Sequence, residues 1–75
     1  MEFVVVSYPV DRDVLIDHQI AGRTGDTLMV EAGHHVFDLG EPHDYSPDSV
    51  TRTVRNTTAL SPLVIEAFHP EESDT

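Results

Sequence analysis

The chain contains no cysteine and no lysine. Without thiols there is no disulfide framework, no thiolate zinc site and no cysteine nucleophile. The basic side chains are four arginines, Arg12, Arg23, Arg52 and Arg55, set against fourteen acidic groups for a formal net charge of −10. Nucleic acids and anionic membranes both demand a basic face, so that balance argues against either as a partner. High-salt adaptation and codon bias both account for the missing lysines, and neither concerns what the chain binds. No apolar run approaches the ~18 residues of a membrane span, so no membrane insertion is expected. The opening MEFVVVSYPV carries Glu2 where a signal peptide would be basic, and its apolar run breaks at Ser7 before any small-residue cleavage pattern. A cytoplasmic location is the default expectation.

Helical periodicity is missing as well. No segment sustains apolar residues at i, i+3 and i+4 over the ten or so positions a helix needs, and glycine and proline interrupt the chain at short intervals. What is present is alternation. Residues 2–8 (EFVVVSY) are β-branched and apolar on both faces, as in a strand covered on two sides, and Pro9 stops them. Residues 13–17 place Val14 and Ile16 on one face, 27–31 place Leu28 and Val30, and 34–39 place Phe37 and Leu39. Residues 48–56 do the same with Val50 and Val54, and 62–68 with Leu63 and Ile65. These ten residues are the expected core. Six or seven short strands joined by turns predict an all-β fold, a small antiparallel β-sandwich. Loops are expected at 18–26, 40–48 and 57–61.

At 75 residues the chain makes one domain, placed at 1–69, that buries only about 60% of its unfolded surface and has little room for a cleft. Residues 70–75, at the end of the acidic and proline-containing HPEESDT, are expected to form a disordered tail.

Read together, VLIDHQIAGRT, LMVEAGHHVFDL and Tyr45 resemble the PEGA domain family, whose pattern runs apolar-x-apolar-Asp-Gly, Gly-x-Thr-Pro, an apolar strand, Gly-x-His-x-apolar-x-apolar and a Gly-Tyr. The matching positions are Val14, Ile16, Asp17, Gly22, Thr24, Leu28, Val30, Gly33, His35, Phe37, Leu39 and Tyr45. His18 stands where the family has glycine, Gly25 where it has proline and Asp44 where glycine precedes the tyrosine. The resemblance covers residues 14–55 and implies a prealbumin-like sandwich that acts mostly as a non-catalytic module of envelope and surface proteins. Asp17, Gly22, Thr24 and Gly33 are expected to make turns, Asp17 by accepting bonds from the amides of its own turn and the glycines by taking positive φ.

The candidates for chemistry are His34, His35, Asp38, His43 and Asp44. Imidazole and carboxylate suit zinc, nickel or copper, but a closed site needs about three or four converging ligands. Alternation puts His34 with Asp38 and turns His35 toward the side of Phe37 and Leu39, as a half-buried residue at the core rim. A metal site would therefore use His34 and Asp38 with a loop histidine, His18 or His43. The serines lie in no nucleophile elbow, AGRTGD lacks the lysine of a phosphate loop, and a thin chain offers no cleft for paired carboxylates. The resulting expectation is a non-enzymatic structural or protein-interaction module without a cofactor, with a divalent-metal-binding protein as the alternative. Its partner would be an unidentified protein or a second copy joined through an edge strand, and residues 2–8 are the segment to join if they lie at an edge.

Overall fold

A computed structural model describes residues 1–70. Among them lie nine strands: β1 (Glu2–Val6), β2 (Asp13–Ile16), β3 (Gln19–Arg23), β4 (Leu28–Val30), β5 (Gly33–Asp38), β6 (Tyr45–Ser46), β7 (Val50–Val54), β8 (Leu63–Ile65) and β9 (His69–Pro70). They form a three-stranded sheet in the order β4-β1-β8, a four-stranded sheet in the order β3-β2-β5-β7, and a short β6-β9 pair. The inner faces of the two larger sheets share one apolar core, as in a small β-sandwich. Pairing is antiparallel throughout except between β1 and β8, which run parallel with Val4 opposite Leu63 and Val6 opposite Ile65.

The core follows from period-two alternation. Val4, Val6, Val14, Ile16, Leu28, Val30, Phe37, Leu39, Val54 and Ile65 are buried, with Val50 and Leu63 partly buried against them. Each full burial of such a side chain is worth about 1.5–3 kcal/mol before the entropy of ordering it. Tyr45 and Phe68 complete the cluster from outside the larger sheets, their rings meeting edge to face at 5.7 Å.

Residues 2–8 do not lie at an edge. β1 is the middle strand of its sheet, and where its neighbours stop, other groups finish the pairing. The Phe3 amide donates to Thr57 Oγ1 at 2.7 Å and Gly25 N donates to the Val6 carbonyl at 2.9 Å, while β8 itself extends the pairing past β1, with Ser7 N donating to Ile65 O at 2.8 Å. The Glu2 carboxylate accepts from both the amide and the hydroxyl of Thr57, which holds its pKa below the ordinary glutamate range. A dimer made by extending the sheet through β1 is therefore closed off by the strand's own neighbours.

Two loop expectations and one about the tail change. Residues 18–26 contain β3, joined to β2 by a two-residue turn in which Asp17 and His18 both take positive φ, 53° and 70°. That is the type I′ geometry whose twist suits a hairpin. The sequence hides this strand because QIAGR has no apolar alternation, being an edge strand with only Gly22 partly covered. Residues 40–48 contain β6, and His69–Pro70 pair with it as β9, so Pro70, expected to begin the disordered tail, belongs to a strand. Positions 71–75 of the expected tail lie outside the described residues.

Gly22 has no positive φ and makes no turn. It is required by close approach, since a Cβ there would stand 2.4 Å from Leu28 Cδ2. Gly22→Ala must displace a buried leucine and is expected to lower unfolding free energy by about 1–3 kcal/mol, measured by urea denaturation; an unchanged midpoint would show that Leu28 yields freely.

Candidate functional site

The metal candidates do not converge. His34 projects from β5 into solvent with Nδ1 2.6 Å from Thr53 Oγ1 on β7. Asp38 Oδ1 accepts from Gly40 N at 2.9 Å, and His43 Nε2 lies 2.9 Å from Asp48 Oδ1. His18 occupies the exposed β2–β3 turn. Among the described residues, no three histidine or carboxylate side chains gather in a way that could hold a metal ion.

Two other polar constellations hold the ends of the sandwich. In the first, Asp17 bonds across to β5 instead of to its own turn. Its amide donates to Val36 O at 2.8 Å, its Oδ1 accepts from Val36 N at 3.0 Å, and its Oδ2 lies 2.7 Å from Nδ1 of the half-buried His35. His35 Nε2 lies 2.6 Å from the Glu31 carbonyl. Both ring nitrogens thus face acceptors, a pairing that the doubly protonated imidazolium satisfies. The Asp17 carboxylate, then the Glu31 carbonyl, raise the His35 pKa against the opposing effect of burial, and His35 in turn lowers Asp17. Arg52 sits opposite His35 in the β5–β7 register.

The second constellation is built on Arg12, which composition alone would have left as a surface charge. Its side chain is only 9% exposed, with the guanidinium carbon 4.9 Å from the centre of the Tyr45 ring and 5.9 Å from that of Tyr8. It pairs with Asp44 and donates to the carbonyls of Leu39, Gly40 and Pro42. The Leu39 amide donates to the Tyr45 hydroxyl, and burial outweighs that bond to keep the phenol above its ordinary pKa and protonated. Buried Thr24 locks the backbone of Arg12: its hydroxyl accepts from Arg12 N at 3.1 Å and donates to Val10 O at 2.9 Å, while its amide donates to Arg12 O. Gly25 and Gly33, at φ 85° and 133°, supply the positive φ around these segments.

No pocket opens among the described residues, so the remaining surface feature is a face. On the outside of β4-β1-β8, register sets Phe3 beside Met29 and Val5 beside Val64. Met29 is 64% and Val64 47% exposed, with Phe3 and Val5 half-buried between them. Met1, also exposed, precedes the same stripe. The outer face of the other sheet differs, because Leu15, Ile20 and Val36 are interrupted there by Asp13, Arg23, His34, Asp38, Thr51 and Thr53. Neither the length nor the alternation of EFVVVSY distinguishes a strand covered on two sides from one with an apolar outer face, and the neighbours that make the patch, Met29 and Val64, come from remote segments.

Among the described residues there is no helix long and apolar enough to cross a membrane. Comparison of the chain with family profiles, with curated proteins and with solved structures finds no match in any of the three.

The two polar constellations generate separate expectations. The stabilisation His35 supplies is complete below its unfolded pKa of about 6.5 and is lost as pH rises through its raised folded value; that of Asp17 is present above its unfolded value and is lost as pH falls through its depressed folded value. Imidazole NMR titration should give His35 a pKa above the ordinary value in the parent chain and a return toward it in Asp17→Asn; an ordinary value in the parent would contradict the pairing. For Arg12, Arg12→Met should cost about 1.5–3 kcal/mol, because it removes charged donors from the loop carbonyls. Asp44→Asn, altering an exposed partner, should cost under about 1 kcal/mol. Equal costs in urea denaturation would place the clasp's strength in the ion pair instead.

Proposed function

We propose that this chain is a small non-enzymatic interaction module and that the outer face of β4-β1-β8 is its contact surface. The observation that carries the reading is the unbroken apolar stripe of Phe3, Val5, Met29 and Val64 on that face. A protein gains nothing in its own stability from exposing contiguous apolar side chains, and such patches mark sites of association. The stripe lies on a sheet whose middle strand is fully paired, so the surface is rigid and little ordering entropy is lost on contact. The two polar constellations fit a supporting role, since they fix the connections that hold the two sheets in place.

Membership of the PEGA-like group belongs to the same proposal. Its support is local: His18 holds the positive φ that a glycine would take in the family's Asp-Gly turn. Gly25 departs from the pattern, because φ 85° is closed to the proline the family carries there.

A photo-crosslinking amino acid at position 64 tests the contact surface, with the same group at position 51 on the opposite sheet as control. Discrete adducts are expected from position 64 alone, reduced about tenfold or more by Met29→Glu, which corresponds to a loss of about 1.4 kcal/mol at a contact residue. Equal labelling from both positions, unaffected by Met29→Glu, would remove the face from consideration.

A further inference from the structure

Charge is distributed unevenly between the two sheets. All four arginines lie outside β4-β1-β8: Arg12 precedes β2, Arg23 ends β3, Arg52 lies in β7 and Arg55 follows it. Two exposed acidic side chains continue the alternation of the apolar stripe at its ends. Glu31 follows β4 on the same alternation as Met29, and Glu66 follows β8 on the same alternation as Val64. An apolar centre with an acidic rim, on a chain of net charge −10, repels a second copy presenting the same face, because the rims and net charges would oppose each other. It complements an apolar surface bordered by cations.

Size narrows the partner further. β1 is about 17 Å long at about 3.3 Å per residue, and because β4 lies beside Glu2–Val4 and β8 beside Val4–Val6, the stripe runs diagonally across it, roughly 10 Å wide at either end with strands about 4.8 Å apart. One α-helix, about 10–12 Å across with its side chains, covers such a stripe lengthwise. From the apolar stripe, the acidic rim and these dimensions we infer that the face docks a basic amphipathic helix of another protein. Its apolar residues at i, i+3, i+4 and i+7 would lie over Phe3, Val5, Met29 and Val64, and its flanking lysines or arginines would lie near Glu31 and Glu66. This inference rests on the assignment of the face as the contact surface and adds the chemistry of what it contacts.

The test uses the full chain, isotopically labelled, and three synthetic peptides of about 18 residues, long enough to become helical. One is an amphipathic leucine–lysine helix, the second has the same composition in scrambled order, and the third is a leucine–glutamate helix. The amphipathic lysine peptide is expected to shift the resonances of Phe3, Val5, Met29 and Val64, to bind at least about tenfold more tightly than the scrambled peptide, and to weaken with added salt. The glutamate helix should not bind. Glu31→Gln with Glu66→Gln should weaken binding at low salt, and Val64→Glu, a change at an exposed position, should abolish the shifts while the chain stays folded. Equal binding of the scrambled peptide, with shifts spread over Asp11, Asp26 and Asp48, would overturn the inference in favour of diffuse charge attraction. Concentration-dependent shifts at the same four residues without peptide, together with a dimer in sedimentation, would also overturn it while keeping the face as an interface. Failure of every peptide to move those resonances, joined to equal photo-labelling from positions 51 and 64, would remove both the partner and the surface.

Discussion

The structure depends on the placement of β1 between β4 and β8. A chain this short has few apolar residues to spend, and the valine-rich first strand holds the densest supply. Setting it in the middle of a sheet buries Val4 and Val6 completely and satisfies its backbone on both sides. The same placement explains why separate parts of the chain reach toward it. Thr57 and Gly25 each complete a hydrogen bond along β1 that the short neighbouring strands leave open, and β8 itself carries the pairing one residue past the end of β1 through Ile65. An unpaired buried amide costs about 1–3 kcal/mol, so these isolated bonds protect a sheet whose outer strands are only three residues long.

That arrangement has a consequence on the far side of the strand. Alternation that drives Val4 and Val6 inward turns Phe3 and Val5 outward, and the neighbours add Met29 and Val64 to them. The second sheet intersperses the apolar residues of its outer face, Ile20 among them, with charged and hydroxyl side chains, whereas the stripe on this one is continuous. The asymmetry between the two outer faces underlies the proposal of an interaction surface, and the confinement of every arginine to the other sheet and its connections gives that surface its preference in charge.

Much of the fold was legible in the sequence because burial on one face imposes period two. Val14 with Ile16, Leu28 with Val30, and Phe37 with Leu39 announce strands whose inward sides meet. What could not be read depends on long-range or unpatterned contacts. QIAGR forms an edge strand without alternation, held by pairing with β2 and by the Asp17–His18 turn. A two-residue strand such as β6 is too short to carry a period, which hides Tyr45, and Phe68 lies beyond the end of β8, out of phase with Leu63 and Ile65, so neither belongs to the expected core. In the sequence Arg12 is indistinguishable from the other three cations, because a charged residue is ordinarily exposed and nothing local announces that two tyrosines and a run of carbonyls will enclose it. The adjacent histidines drew attention to a metal, yet His35 is engaged by Asp17 and by the carbonyl of Glu31, and His34 by Thr53.

The central claim is that β1 has one face in the core and the other open to contact. Methyl NMR with a neutral, water-soluble paramagnetic probe measures this directly on the dilute chain. The account predicts strong broadening of the Met29 and Val64 methyls, intermediate broadening at Val5, and protection of Val4, Val6 and Ile65. Met29 and Val64 methyls as protected as those of Val4 and Val6 would contradict it, because the outer face would then already be covered.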